Sequence, residues 1–179
     1  VGFKVIWQEL NYDQRINDEI NLSESNAKRL RKIQRMGFAT LYASLEEAYP
    51  LIAENRARKG RPVSMSLESL QDMLDRIPGS VFCYQVLSPV NGPVAAAICI
   101  DISRDIRYVF MWGDAPEMES YSPIIMLADH IYFRSMMDCK TLLDVGTSTE
   151  DGMPNYGLIN FKRGLGFRES IKLTMGKTC

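Results

Sequence analysis

His130 is the sole histidine in 179 residues. A multi-histidine metal site is therefore excluded, and any Ser-His-Asp or Cys-His relay must run through this one side chain. It lies in SPIIMLADHIYFRSMMDCK, where the apolar spacing is helical and Asp129 is its neighbour in sequence. Adjacent helical residues do not face each other, so Asp129 is badly placed to orient the imidazole. A structural histidine on or partly under a helix is one reading, a catalytic base the other. The four cysteines, Cys83, Cys99, Cys139 and Cys179, form no CxxC pair. No zinc site or disulfide framework is expected, and Cys83 and Cys99 lie in apolar runs where a free thiol behaves as a small hydrophobe. This usage fits a reducing, cytoplasmic setting.

Basic chemistry is concentrated at residues 28–35, where Lys28, Arg29, Arg31, Lys32 and Arg35 give five positive charges. Two readings stand side by side: a patch for phosphate, RNA or an acidic partner, and the solvated face of an amphipathic helix with Ala27, Leu30 and Ile33 inside. With 21 Lys+Arg against 22 Asp+Glu, the net charge of −1 excludes a surface that binds nucleic acid all over. Hydrophobic residues make up 46% and charged ones 24%, the composition of a globular domain. No apolar run approaches the ~20 residues that span a bilayer, so no membrane span is expected. The chain starts at Val1 with no basic-then-apolar leader, and we expect a piece of a longer protein.

The elements that must position any site can be read from capping and periodicity. Ser23 opens a helix that Gly37 ends; residues 38–43 read as a strand; Ser44 and Glu47 form a capping box for the next helix, which stops near Gly60. Ser66 starts a helix with Leu67, Leu70, Leu74 and Ile77 on one face. After Gly79 come three strands, 81–87, 93–100 and 106–112, joined by short polar turns as an antiparallel meander. Ser122 and Pro123 supply a cap and a first-turn proline for a long helix to about Cys139. Residues 141–145 then read as a strand, 155–165 as a helix and 169–175 as a last strand. A strand–helix–strand step calls for a right-handed crossover, so the third meander strand and 142–145 should run parallel. The expected fold is α/β (α+β), a mixed, mostly antiparallel sheet with helices on both faces and one parallel strand pair.

This order resembles the GNAT superfamily of N-acyltransferases. The resemblance is carried by residues 155–167, NYGLINFKRGLGF, in which Asn155 opens the helix and Gly166-Phe167 turns into the final strand. Phe161-Lys162, then a short step to Gly-Phe, resembles the Fem-type branch, the bacterial peptidoglycan-bridge aminoacyltransferases and related GNAT-like acetyltransferases. Leu142-Leu143-Asp144-Val145-Gly146 upstream resembles the same branch, as does LSES followed by a basic helix and Gly37. The resemblance covers about residues 20 to 176. It implies a GNAT-like domain over 21–179, with 1–20 as an N-terminal extension or the remnant of a preceding domain. Fem-type relatives carry two such units, which implies a GNAT-like partner domain upstream.

It also implies transfer of an acetyl or aminoacyl group to an amine. The donor would be acyl-CoA or aminoacyl-tRNA, the acceptor an amine of a cell-envelope component or small molecule. GNAT enzymes that use CoA hold its pyrophosphate on a glycine-rich turn before the long helix. Here that stretch, 113–123, has one glycine, two prolines without an N–H and three carboxylates. It argues against acyl-CoA held in the usual way. A non-catalytic GNAT-like domain of a two-domain protein is the reading from another class.

For catalysis the resemblance points to Lys162, an ammonium that would favour charge on the donor carbonyl, against the alternative of a solvated helix surface. Arg163, one position round the helix, should point elsewhere. Asp144 at its strand end would accept the amine proton or anchor the 147–149 turn, and Tyr156 stands at the helix start near a strand's carboxyl end, where ligands of open α/β sheets bind. Asn155, Ser122 and Trp112 are the candidate donor-binding residues, with Asn155 equally suited to be an N-cap. Tyr108 joins Trp112 as a candidate cleft wall. No metal ligand is expected.

Overall fold

A computed structural model describes residues 2–17, 20–150 and 152–178 of the chain; Cys179 lies outside them. Nine strands and five α-helices are described: β1 (Gly2–Arg15), α1 (Glu24–Arg35), β2 (Ala39–Ala43), α2 (Leu45–Arg58), α3 (Leu67–Arg76), β3 (Val81–Ser88), β4 (Gly92–Asp101), β5 (Ile106–Asp114), α4 (Pro123–Met137), β6 (Leu142–Thr147), β7 (Thr149–Glu150), β8 (Met153–Pro154), α5 (Tyr156–Gly164) and β9 (Arg168–Thr178). A 3-10 turn over Pro116–Tyr121 precedes α4.

Seven strands form one sheet in the order β2-β3-β4-β5-β6-β1-β9. Only β5 and β6 run parallel, with Ile106 opposite Leu142 and Tyr108 opposite Asp144; the other neighbours are antiparallel. The mixed sheet with one parallel pair is thus present. Periodicity misses β1 and the two short strands β7 and β8. Strand β1 is wedged between β6 and β9, so residues 2–15 are built into the same sheet as the domain that follows them. A register shift between Val5 and Trp7 breaks its alternation, and Phe3, Val5, Ile6 and Trp7 are all exposed.

The helix starts follow their side chains. The Ser23 hydroxyl accepts from the Asn26 N–H, and Ser44 with Glu47 forms both bonds of the capping box. Ser66 accepts from the Ser69 N–H at 3.2 Å. Of the four apolar residues expected on the α3 face only Leu70 is fully buried, and Ile77 lies exposed at the helix end.

Strand alternation splits the core into two layers. Ala95, Ala97 and Cys99 of β4 face a cluster with Leu30 and Ile33 of α1, Leu127 and Ile131 of α4, and Ile159 of α5. Ala96 and Ile98 face Leu45, Ala48 and Ile52 of α2 and Leu70 of α3. Small residues along β4 let helices approach the sheet from both sides. Cys83 and Cys99 are buried free thiols, and burial pushes the Cys83 thiol up to about 12.

Arg107, fully buried on β5, is the largest side chain in this interior. Its guanidinium donates to Asp101 at 2.8 and 3.1 Å, pairs with Asp138 at 3.0 Å and lies 4.5 Å from the Phe82 ring centroid. This ties the middle of the sheet to the end of α4. His130 sits nearby, its ring edge-on to Tyr84 at 5.3 Å, and burial lowers its pKa. It packs as a structural residue of α4. No helix among the described residues is long and apolar enough to cross a membrane.

Candidate active site

Beyond Tyr108 and Asp144 the parallel pairing of β5 and β6 stops. In β5 a bulge accompanies the divergence: Ile98 and Cys99 of β4 face Met111 and Val109, which leaves Phe110 as the extra residue. The two strands splay and open a cleft of about 370 Å³ between Tyr108–Trp112 on one side and Val145–Thr147 on the other. A shallower cleft of about 630 Å³ adjoins it, lined by Trp112, Asn155, Phe161 and Ser122.

Lys162 lines the deep cleft from α5 and is 2% exposed. Its Nζ donates to the Gly146 carbonyl at 2.8 Å and to the Thr147 carbonyl at 2.8 Å, and lies 5.6 Å from the Tyr12 ring centroid. An ammonium has three hydrogens, and two are committed to these carbonyls. Burial pulls its pKa down to about 8, opposed by the negative charge of Asp144. The solvated-surface alternative for Lys162 does not hold. Its neighbour Arg163 does point elsewhere, to an exposed ion pair with Glu169.

Asp144 is placed to hold the turn. Its Oδ1 accepts from the Gly146 N–H at 2.7 Å and from Asn11 Nδ2 at 3.1 Å. Gly146 has φ +75°, and a Cβ there would stand 3.1 Å from the Tyr108 hydroxyl, so a side chain would be both strained and crowded. Asn155 caps α5 by accepting from the Leu158 N–H at 3.0 Å and also lines both clefts. Trp112 lines both clefts and packs edge-on against Phe161 at 6.0 Å. Tyr156 is 72% exposed and lines neither cleft.

The start of α4 departs from the expected cap. Pro123 occupies the first turn, but Ser122 has φ +56° and its side chain makes no cap bond. A left-handed residue directs its hydroxyl away from the helix amides that an extended N-cap would reach. The Ser122 hydroxyl instead donates to the Glu119 carbonyl at 3.3 Å and accepts from Arg29 at 3.4 Å. The N–H groups of Ala115, Met118 and Ser122 are spent on Val94, Ala115 and Glu119 carbonyls. Glu119 pairs with Arg58, and the Asp114 carboxyl is buried, which raises its pKa. Asn55 Nδ2 donates to Asp114 Oδ1 at 3.0 Å and to its carbonyl at 2.7 Å. The residues before α4 therefore do not fit a pyrophosphate cradled by backbone N–H groups.

Several site residues escape sequence reasoning. Arg56 and Lys59 at the end of α2, and Arg61 just beyond, line the deep cleft. The helix was legible, but its cations fall on no motif. Among the described residues no group of three or more His, Cys, Asp or Glu is arranged to hold a metal.

No family model and no curated protein matches this sequence. Solved structures do match its fold. FemX superposes with a TM-score of 0.75 at 11% identity, covering 97% of this chain and 65% of that one. L-PGS from Bacillus licheniformis gives a TM-score of 0.62 at 13% identity, over 97% of this chain and 61% of that one. A GCN5-related N-acetyltransferase from Kribbella flavida gives 0.57 at 14% identity, over 97% and 58%. The fold is GNAT-like and of the Fem type. The chain spans less than two thirds of the length of each of these three structures.

Proposed function

We propose that the chain is an N-acyltransferase domain that transfers an acetyl or aminoacyl group to an amine acceptor. One observation carries the reading: a buried lysine at the floor of a strand splay, tethered by two main-chain carbonyls with one N–H to spare. The Fem-type and GNAT-like fold supports it.

In this reading the acyl carbonyl lies in the deep cleft with its oxygen toward Lys162. Attack of the amine nitrogen forms the new C–N bond and drives the carbonyl electrons onto oxygen. The third Nζ hydrogen then meets that charge where little water screens it, as a preorganised donor should. Collapse re-forms the carbonyl, expels the donor's leaving oxygen or sulfur, and the amine proton leaves through water or with that group. No carboxylate lines the deep cleft among the described residues, so Asp144 acts by positioning Gly146 and supporting the Lys162 charge. Trp112, Phe161, Asn155 and Ser122 line the donor side. An aminoacyl-tRNA donor is favoured over acyl-CoA because the N–H groups of Ala115, Met118 and Ser122 before α4 are spent on main-chain carbonyls and leave no cradle for a pyrophosphate. An amine of a cell-envelope component or small molecule remains the acceptor in this reading.

The test is direct. The chain, with any partner domain it has, is incubated with labelled aminoacyl-tRNA or acetyl-CoA and amine acceptors, as wild type and as Lys162→Met. Donor-dependent acylation in the wild type that falls at least a hundredfold in a folded Lys162→Met supports the reading. Equal rates in the two proteins overturn it.

A further inference from the structure

We propose that β9 is a pairing edge for a second copy of this chain, so that two molecules join antiparallel through this strand into one continuous sheet about a two-fold axis. β9 bonds to β1 on one side and ends the seven-stranded sheet on the other. Its 11 residues include no proline, and the bulge in this strand pair falls on β1, at Ile6, so β9 itself stays regular. A long, regular edge strand presents a row of unpaired N–H and C=O groups, a template for another strand. One face of this edge is apolar. Ile171, Leu173 and Met175 alternate along β9, and Phe3 and Val5 of β1 share their face, opposite Lys177 and Met175. All five are exposed, Phe3 and Ile171 at 68%. This face lies away from the deep cleft, because Lys172, on the other face of β9, stands over the Tyr108 ring that lines that cleft.

The residues of β9 are complementary to themselves. Antiparallel pairing with a second copy, centred on Leu173, sets Leu173 against itself, Ile171 against Met175 and Glu169 against Lys177, all on the apolar face. Apolar residues then meet apolar ones, and the acid meets a base. Glu169 keeps 44% of its side chain exposed while paired with Arg163, and so stays within reach of a second cation. On the other face Lys172 meets Thr174. Moving the centre by one residue loses the match: at Lys172 the lysine faces its own copy, and at Thr174 Ile171 faces Lys177. Opposite charges and apolar pairs stabilise a strand pair, whereas like charges directly opposite weaken it. A net charge of −1 sets little general repulsion between copies. A two-fold contact closes on itself, so this edge takes up one further copy and no more.

The pairing does not depend on the acyl-transfer reading, and its test uses no turnover. Wild type, Leu173→Arg and Lys177→Glu are compared by sedimentation equilibrium over a dilution series. Wild type should show a monomer–dimer equilibrium. Association should be at least about tenfold weaker in Leu173→Arg, which brings two guanidinium groups together at the axis. A smaller loss is expected in Lys177→Glu, which sets a carboxylate against Glu169 of the second copy. Circular dichroism checks folding, and the exposed Lys177→Glu carries the comparison if Leu173→Arg does not fold. A second measurement reads the register. In a chain carrying Cys139→Ser and Cys179→Ser, Leu173→Cys should form an intermolecular disulfide on air oxidation, because directly opposed residues of an antiparallel pair have Cα atoms about 4.5–5.5 Å apart. Lys172→Cys stands two positions out of line with its own copy and should not. A wild type that is monomeric at every concentration, or that grows beyond two copies, overturns the proposal. So does a dimer equally stable in both charge variants, or a disulfide that shows no preference for residue 173 over residue 172. A monomer assigns the edge to a different chain or segment.

Discussion

Lys162 and Gly146 are joined by a 2.8 Å hydrogen bond from the buried ammonium to a main-chain carbonyl, and Asp144 holds the N–H of that same glycine at 2.7 Å. Helix α5 and strand β6 are thus locked to each other at the cleft, and the cation has little freedom to move. Its function and its pKa both follow from that lock.

Lys162→Met is expected to lower transfer by about 10²–10³, the usual loss when one oxyanion donor is removed. The methionine fills a similar volume and leaves two carbonyls without a donor. Steady-state rates beside a thermal melt check this: a folded variant with an unaltered rate takes Lys162 out of the reaction.

The pH dependence has a definite sign. Burial holds Lys162 near 8, below its ordinary value of 10.5, so between those limits the unfolded chain binds more protons than the folded one. Wild type should therefore gain stability relative to Lys162→Met as pH rises from about 8 to about 10.5, measured as the difference in Tm. Transfer should move the other way and decline above about pH 8, because a neutral amine has only the two hydrogens its carbonyls already take. A rate still climbing at pH 10 would contradict the role of the ammonium.

Asp144→Asn keeps an oxygen that can accept from the Gly146 N–H but removes the charge that supports Lys162. The alkaline decline in rate should shift to lower pH, while the melting temperature changes little. An unmoved profile would show that Asp144 acts only on the backbone.

Gly166→Ala tests the turn into β9. Gly166 has φ +90°, and a Cβ there would lie 2.6 Å from the Asn21 carbonyl oxygen, a rigid neighbour. Strain and overlap together should cost at least about 1 kcal/mol, a fall in Tm of about 2–4 °C or more. Calorimetry of the purified variant decides it.

Much of this architecture was legible because capping and period are local. Ser23, Ser44, Ser66 and Asn155 mark helix starts by their own hydroxyl or amide, and each does so in the structure. Ser122 misled because its φ of +56° is set by the preceding 3-10 turn, which sequence spacing does not reveal. Strand β1 was missed for a physical reason: its bulge breaks the alternation, and both its partners lie far away in sequence. Arg107 sits in an apolar run that reads as a strand, yet its charge is matched by Asp101 and Asp138, which only the fold brings together. The same holds for the cleft. Lys162 was found through a resemblance, whereas Arg56 became visible only once α2 was packed against β5.

The placement of β1 also bears on how the protein assembles. Asn11 bonds to Asp144, 133 positions away, and Tyr12, under the Lys162 ammonium, belongs to the same strand. Contacts of such long separation carry a large loop-closure cost and form slowly. The meander β3–β5 and its helices can be in place before the first strand finds its slot between β6 and β9. The cleft floor is then among the last parts to become rigid, so an arrested or truncated chain would have a sheet well before it had a site.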